Sequence, residues 1–262
     1  MTKLKTQVEL NEALAHWLGV ESVALVREDL LPHGGGKKRR ALERFTREIG
    51  DKTDLHVLSY AGSHTAYTLS KLLPDVTIHL YGTHYGGGPY EKAMVALVNQ
   101  SENVIQTIGS TLTMTLAYNH AKKNPKPGHH FMRIGGSLGA DTITVDAVKN
   151  VKATLGEAYH HYAAVASGDL LSAISSQTDR VTGVLTQPFF IRVLKKLSLA
   201  NSTGVNRTSL SRRIALMREV RVLTGNLWDP IFMGNVFAHL KSQKSLSLNI
   251  CIWVTCPAGI EW

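Results

Sequence analysis

A glycine-rich turn followed by a basic helix start, Gly34–Glu43 (GGGKKRRALE), sets the interpretation of this chain. The apolar run Ser22–Val26 predicts a strand, which leads through Arg27–Leu30 (REDL) to the glycines, and the spacing of apolar residues beyond them predicts an amphipathic helix. Glycines permit a sharp turn, and a lysine at the start of the next helix can be presented to a buried ligand. The segment therefore indicates a functional lysine, Lys38 or Lys37. The alternative is a solvated or nucleic-acid-binding basic patch.

The composition is that of a globular protein. The chain has 262 residues, 44% of them hydrophobic and 19% charged, which is enough for one large domain or two lobes. No apolar run reaches the roughly 18 residues of a membrane span, and Met1–Glu9 lacks the apolar core of a signal peptide. We therefore expect a cytoplasmic protein without a membrane partner. The net charge of +9 is compatible with a nucleic-acid-binding protein and equally with an enzyme that binds an anionic cofactor or substrate.

Cysteine and histidine patterns give no metal signal. Cys251 and Cys256 stand in an apolar stretch, so buried thiols are expected in place of a disulfide or a metal-binding pair. The twelve histidines are scattered, and the pairs His129-His130 and His160-His161 lack the helical spacing of a zinc site. We expect no bound metal.

Short apolar runs alternate with helix-length segments, which predicts an α/β fold of twisted, largely parallel sheets with helices on both faces. Turn signals such as Gly86–Pro89 and Pro125–Gly128 separate these segments, and the alternation weakens after about residue 186. The predicted strands are Ser22–Val26, Leu55–Ser59, Val76–Tyr81, Asn103–Thr107, His130–Ile134, Tyr162–Ala166, Val181–Leu185 and Leu248–Val254.

A second candidate segment, Ser59–Ala66 (SYAGSHTA), leaves one predicted strand and enters a helix. Small residues and hydroxyls at a helix N-terminus leave backbone N–H groups available to an anion such as a substrate carboxylate. Ser63 also fits the simpler role of an ordinary N-cap.

Together these segments resemble the fold-type-II pyridoxal-phosphate enzymes, and most closely the 1-aminocyclopropane-1-carboxylate deaminase and D-cysteine desulfhydrase family. That family carries K-R-E/D-D-L, a short loop, and then G-G-N-K-x-R-K-L-E, whose lysine holds the cofactor as a Schiff base. The matching residues here are Gly35, Gly36, Lys38, Arg40, Leu42 and Glu43, with Lys37 in place of the asparagine. The resemblance implies that Lys38 is catalytic and binds the cofactor, with Lys37 as the alternative.

The same family has S-N-H-T in the second segment. Here Gly62 falls on the serine, Ser63 on the asparagine, and His64 and Thr65 on the His-Thr pair. The resemblance thus implies catalytic and cofactor-binding roles for Ser63 and His64. The position of Gly62 leaves two interpretations open: Ser63 supplies the hydroxyl one position late, or a catalytic group is lost.

The second half of the chain departs further from the family. The phosphate loop G-S-G-G-T corresponds to Val165–Ser172 (VASGDLLS), which implies that Ser167, Gly168 and Ser172 bind the phosphate. However, Asp169 adds a negative charge there and two leucines replace glycines. Either Asp169 points away and caps the helix, or the site holds its cofactor poorly. An earlier glycine-rich turn, Ile134–Gly139, resembles the family's G-G-S-x-x-G.

Two further segments are assigned to the cofactor site by the resemblance. Leu227–Asn235 (LWDPIFMGN) is similar to L-D-P-x-Y-x-G-K, so Phe232 replaces a tyrosine, keeping a stacking surface without the hydroxyl. Met233 stands where relatives set a threonine or glutamate toward the pyridine nitrogen. Thr255 agrees with the family's H-T-G-G.

The resemblance implies a tryptophan synthase β-subunit-like fold of two lobes with pyridoxal 5'-phosphate between them. The larger lobe would comprise residues 1–51 and 151–262, and the smaller inserted lobe residues 52–150. The implied protein is a homodimeric lyase or deaminase that acts on a small amino acid and releases ammonia and a 2-oxo acid.

Two alternatives stay open. The departures at Asp169-Leu170-Leu171, Phe232 and Met233 favour a family member that has lost catalysis or cofactor and acts by binding. Lys37–Arg40 and Arg212-Arg213 could instead bind nucleic acid, but the sequence has no aromatic RNA-binding motif and no helix-turn-helix spacing.

Overall fold

The computed structural model describes residues 4–33, 35–36, 38–50, 53–86, 88–132, 142–165, 168–186, 203–205, 208–255 and 260–262. The chain divides into two compact units. The larger unit contains Met1–Leu31, Gly35–Lys37 and Ala140–Gly259, and the smaller unit contains Pro32–Gly34, Lys38–Gly139 and Ile260–Trp262.

Strands and helices alternate through most of the described chain. The strands are β1 (Val8–Leu10), β2 (Ser22–Arg27), β3 (Asp54–Tyr60), β4 (Thr77–Thr83), β5 (Val104–Gly109), β6 (His129–Met132), β7 (His160–Val165), β8 (Val181–Leu185), β9 (Thr203–Val205) and β10 (Asn249–Val254). The helices are α1 (Glu12–Leu18), α2 (Lys38–Ile49), α3 (His64–Leu72), α4 (Pro89–Asn99), α5 (Thr111–Lys123), α6 (Thr142–Leu155), α7 (Asp169–Ser175), α8 (Leu210–Thr224) and α9 (Met233–Ser242), and a 3₁₀ turn spans Glu28–Leu30.

The larger unit is built on a six-stranded sheet in the order β1-β2-β10-β7-β8-β9. The β1 strand runs antiparallel to β2, and the other neighbouring strands are parallel. Buried apolar residues of β2, β7 and β10 form one core with those of α6 and α7. This explains why these strands read as continuous apolar runs, because a parallel sheet is covered on both faces.

The smaller unit has a parallel four-stranded sheet in the order β5-β4-β3-β6. Its main core combines the sheet with α2 and α3, and α2 contributes Leu42, Phe45 and Ile49. The predicted α/β class with parallel sheets is confirmed.

The observed units differ from the predicted lobes by one helix at each boundary and by two short segments, Pro32–Gly34 and Ile260–Trp262, which belong to the smaller unit. The prediction placed residues 38–49 in the larger lobe, but α2 belongs to the smaller unit because its apolar face packs against Leu55 and Val57. Most of α6 was placed in the smaller lobe, but Val148 and Val151 join the core of the larger unit. The amphipathic pattern identified both helices without showing which sheet each one covers.

None of the described helices is both long and apolar enough to cross a membrane. In the same part of the chain, no three or more histidine, cysteine, aspartate or glutamate side chains are placed to hold a metal ion. Cys251 is a buried thiol of β10. Several sequence candidates, Lys37, Ile134–Gly139, Ser167 and Cys256, lie outside the described residues.

Three imidazoles stack across neighbouring strands of the smaller unit. The ring of His56 lies 4.5 Å from that of His79 and 4.9 Å from that of His129, centroid to centroid. Nε2 of His56 is 2.8 Å from Nδ1 of His129, and its Nδ1 is 3.0 Å from the hydroxyl of Tyr81. His79 is paired with Asp54 at 2.7 Å. Burial, together with the charges that His79 and His129 can carry, lowers the pKa of His56 to about 4.

This cluster should make stability depend on pH. Between its ordinary pKa of 6.5 and about 4, His56 is protonated in the unfolded chain but neutral in the fold. Stability is therefore lost as the pH falls through that window, by on the order of 1–3 kcal/mol from this residue. The free energy of urea unfolding should fall between pH 7.5 and pH 4.5 in the wild type. In His56→Phe, which keeps a ring in the stack, it should fall less, by that amount. The exposed His120→Phe should keep the wild-type difference, and an unchanged difference in His56→Phe would contradict the assignment.

Candidate active site

The REDL segment forms a buried ion-pair network in the larger unit. Arg27 donates from Nε to Oδ1 and from Nη2 to Oδ2 of Asp29, each at 2.9 Å, and from Nη1 to Glu9 at 2.6 Å. The indole N–H of Trp228 donates to the same Asp29 carboxylate at 3.3 Å. Burial raises the pKa of Asp29, while Arg27 opposes that rise. The network fixes the end of β2, from which the glycine loop departs.

The glycine loop closes directly on the 3₁₀ turn. The backbone N–H of Gly36 donates to the carbonyl of Glu28 at 2.7 Å. Gly35 has a φ of +62°, and a Cβ at this position would lie 2.2 Å from the carbonyl oxygen of Asp29. Only glycine satisfies both conditions. The loop leads immediately into α2, whose first residue is Lys38.

Lys38 reaches the N-terminus of α3 within the smaller unit. Its Nζ donates to Oγ1 of Thr65 at 2.7 Å, and Thr65 is buried as the second residue of α3. The prediction singled out Lys38, Ser63 and His64, whereas Thr65 was noted only as a match to the family motif. A neutral hydroxyl thus accepts a hydrogen bond from the lysine amine.

The arginines that follow Lys38 are not a solvated patch. Arg39 and Arg40 are only 6% and 3% exposed. Arg39 pairs with Glu43 at 3.1 Å and donates to the carbonyl of Pro32 at 3.2 Å. Burial of both guanidinium groups argues against this segment as a nucleic-acid contact, since phosphate binding requires accessible cations.

Ser63 occupies the N-cap position of α3 without capping it. Its hydroxyl instead shares a hydrogen bond of 2.8 Å with Ser59, and both side chains are buried. The expectation of an ordinary N-cap serine is therefore wrong. The hydroxyl is directed toward β3 because it is held by its neighbour on that strand.

Gly62 is required by packing. Its φ is +64°, and a Cβ there would lie 2.6 Å from the amide nitrogen of Val95 and 2.7 Å from the carbonyl carbon of Met94. Its N–H donates to the side-chain oxygen of Gln106 at 2.8 Å. Close approach of α4 thus excludes a serine at this position, so the absence of a hydroxyl follows from the local backbone.

His64, the first residue of α3, is hydrogen-bonded through Nε2 to the hydroxyl of Tyr90. Burial and the charge of Lys38 lower the pKa of His64 to about 3, so its imidazole is neutral at physiological pH. Tyr90 stands in the first turn of α4. Sequence analysis did not identify Tyr90 as a site residue, although the turn signal ending in Pro89 marks the helix start, since proline favours the first helical position.

The predicted phosphate segment of the larger unit combines a glycine turn with a packed helix. Gly168, with a φ of +89°, precedes α7, and the N–H of Ser172 donates to its carbonyl at 2.8 Å. Leu170 and Leu171 are buried in the core of that unit and do not line the turn. Asp169 is the first residue of α7, where the helix dipole favours a carboxylate. The two leucines that stand where the family loop has glycines are therefore core residues of α7.

The remaining candidates also lie in the larger unit. The Asp229 carboxylate accepts from the backbone N–H groups of Ile231, Phe232 and Met233, which fixes the backbone of Phe232 at the start of α9. Met233 is fully buried, so its side chain is part of the core. Thr255, which follows β10, is 8% exposed.

Each unit thus carries its own subset of the predicted site. Lys38, Ser63 and His64 belong to the smaller unit, around the N-terminus of α3. Gly168, Ser172, Phe232 and Thr255 belong to the larger unit. Their roles in binding or catalysis stay predictions.

Several solved structures share this fold. An ACC deaminase homologue has a TM-score of 0.74 at 16% identity, over 96% of this chain and 89% of that chain. A hydrogen sulfide-producing enzyme from Fusobacterium nucleatum has a TM-score of 0.71 at 12% identity, over 97% and 96%. A ligand-bound mutant of O-ureido-L-serine synthase has a TM-score of 0.73 at 12% identity, over 98% and 88%.

The chain therefore has the fold of the fold-type-II pyridoxal-phosphate enzymes, and the predicted resemblance is confirmed at the level of the fold. No protein-family model matches the chain, and no curated protein matches its sequence. At these identities the likeness defines the architecture, and the activity has to be argued from the site.

Proposed function

We propose that this protein is a pyridoxal-phosphate-dependent lyase or deaminase that acts on a small amino acid and releases ammonia and a 2-oxo acid. The observation that carries the proposal is the Lys38 amine held by Thr65 at the N-terminus of α3. Support also comes from the names of proteins with the same fold, which include an ACC deaminase homologue, a hydrogen sulfide-producing enzyme and a pyridoxal 5'-phosphate-dependent aspartate racemase.

The described residues fit this cofactor. An amine that is held in place by the neutral hydroxyl of Thr65 suits the condensation of Lys38 with an aldehyde. Gly168 provides a left-handed turn before α7, and the burial of Leu170 and Leu171 in the core keeps these side chains away from the turn. Backbone N–H groups of such a turn, with the hydroxyl of Ser172, suit a phosphate. Phe232 offers a ring for stacking.

The residues have separable roles in this proposal. When bound, pyridoxal phosphate supplies an electron sink for charge that develops at the substrate carbon. Lys38 moves a proton at the α-carbon or its neighbour, and Thr65 keeps the amine in place. The N–H groups at the start of α3 suit the substrate carboxylate. Because Phe232 and Gly62 lack hydroxyls, we favour β-elimination from a D-cysteine-like substrate, with sulfide leaving, over opening of a cyclopropane ring.

The test is the absorption spectrum of the purified protein after incubation with pyridoxal phosphate and desalting. We expect a retained visible band, followed by release of ammonia and 2-oxo acid when D-cysteine or related amino acids are added. A colourless protein would contradict the proposal and favour the alternative, a catalytically impaired protein that acts by binding. That alternative is supported by the buried, unreactive Met233 and by the absent hydroxyl of Phe232.

Asp169 provides a measurable check on the phosphate segment. A carboxylate on the first turn of α7 opposes a phosphate nearby, at a cost on the order of 1 kcal/mol in a polar setting. Asp169→Asn should therefore bind pyridoxal phosphate about fivefold more tightly by fluorescence titration, and should also lose some helix stability. Exposed Asp146→Asn on α6 is the matched control, and equal affinities for the two variants would place the phosphate elsewhere.

We further propose that the protein is a cytoplasmic homodimer without a membrane or nucleic-acid partner. Family analogy supports the dimer, and the burial of Arg39 and Arg40 supports the lack of nucleic-acid binding. Sedimentation velocity measures the dimer directly.

A further inference from the structure

The pair formed by His64 and Tyr90 has a specific geometry. The Tyr90 ring is 2% exposed and lies edge-on to two other rings, 5.9 Å from His64 at 85° and 6.3 Å from Trp262 at 86°. The hydroxyl points at Nε2 of His64. Two packed rings thus leave little freedom for the phenol, and the phenol in turn fixes the imidazole at the start of α3.

The chemistry of the two groups sets the direction of the hydrogen bond. His64 is neutral, because burial and Lys38 disfavour its cation, so one ring nitrogen carries a proton and the other is an acceptor. A phenol O–H, with a pKa near 10, is a stronger donor than the N–H of a neutral imidazole, and the imidazole lone pair is the stronger acceptor. The favoured arrangement has Tyr90 donating to Nε2, which leaves the proton of His64 on Nδ1.

We propose that Tyr90 is a positioning residue that donates its O–H to Nε2 of His64 and so fixes the imidazole as the neutral Nδ1–H tautomer beside Lys38. The use of this tautomer rests on the proposed function: the Nδ1–H group serves as a neutral donor for the carboxylate of the amino-acid substrate. A neutral donor binds the carboxylate without adding a second cation next to the Lys38 amine, whose proton must move during the reaction.

The first test does not depend on cofactor or turnover. In cofactor-free protein labelled with ¹⁵N at histidine, the His64 signals, assigned with His64→Gln, should show a protonated Nδ1 and an unprotonated Nε2 at pH 7. In Tyr90→Phe, which keeps the packing on Trp262, these signals should move toward an average of the two tautomers. Tyr85→Phe removes another tyrosine hydroxyl of the same unit and should leave them unchanged. Protonation at Nε2 in the wild type, or an unchanged Nδ1–H tautomer in Tyr90→Phe, would overturn the proposal.

The second test uses D-cysteine with the cofactor-loaded enzyme. In Tyr90→Phe, the Nδ1–H group of His64 is no longer oriented to donate to the substrate carboxylate. KM should therefore rise about tenfold, while kcat changes less than about threefold. A kcat loss with unchanged KM would overturn the carboxylate role of His64. If no variant, including wild type, turns over D-cysteine, the proposed function fails, but the nitrogen signals still decide whether Tyr90 sets the tautomer.

Discussion

Lys38→Ala should abolish the visible band after incubation with pyridoxal phosphate and reduce turnover by at least 10²–10⁴-fold, the range attributed to a positioned proton-transfer group. The expectation follows from geometry, since Lys38 is the first residue of α2 and its amine is held 2.7 Å from the hydroxyl of Thr65. The measurement is the absorption spectrum together with ammonia release, recorded for wild type and variant at equal protein concentration.

Two controls make this result specific. Lys37→Ala tests the alternative lysine, and loss of the band there but not in Lys38→Ala would reverse the assignment. Exposed Lys122→Ala on α5 should change neither the band nor turnover. A third readout needs no cofactor: because the charge of Lys38 helps to lower the pKa of His64, that pKa should rise in Lys38→Ala. An unchanged pKa would mean that the two side chains are not coupled.

The sequence predicted the segment around Lys38 well because its signals are local. A strand ending at Arg27, a turn that needs glycine at Gly35 and a helix beginning at Lys38 all depend on residues that are close in the chain. The likeness to known enzymes in that segment rests on the same local requirements. Leu170 and Leu171 were noted only as replacements of loop glycines, because their burial in the core depends on how α7 packs.

The contacts that sequence analysis missed are tertiary. Tyr90 meets His64 from 26 positions away, and the Gln106 side chain meets Gly62 from 44 positions away. Neither pairing leaves a periodic pattern, because each depends on where α4 and β5 pack against the start of α3. The assignment of α2 to a unit failed in the same way, since its apolar face is compatible with either sheet.

Gly62→Ser, which restores the hydroxyl of the family motif, should destabilise the protein by about 2–5 kcal/mol. A non-glycine residue at a positive φ costs roughly 1–2 kcal/mol, and forcing atoms into a packed interior costs about 1–3 kcal/mol more. Here the added Cβ would lie 2.6 Å from the backbone of α4 at Val95. The measurement is urea unfolding at pH 7.5, away from the histidine titrations.

Gly50→Ser separates the two contributions to that loss. Gly50 has a φ of +58°, close to the +64° of Gly62, but no atom lies within 4 Å of its added Cβ. It should therefore lose only the 1–2 kcal/mol of backbone strain, and equal losses in the two variants would show that α4 does not press on Gly62. If α4 does press there, Gly62→Ser must displace its first turns and with them Tyr90, so the His64 tautomer signals should change as they do in Tyr90→Phe. The glycine that removes one hydroxyl from the site would then be the residue that lets α4 bring Tyr90 to His64.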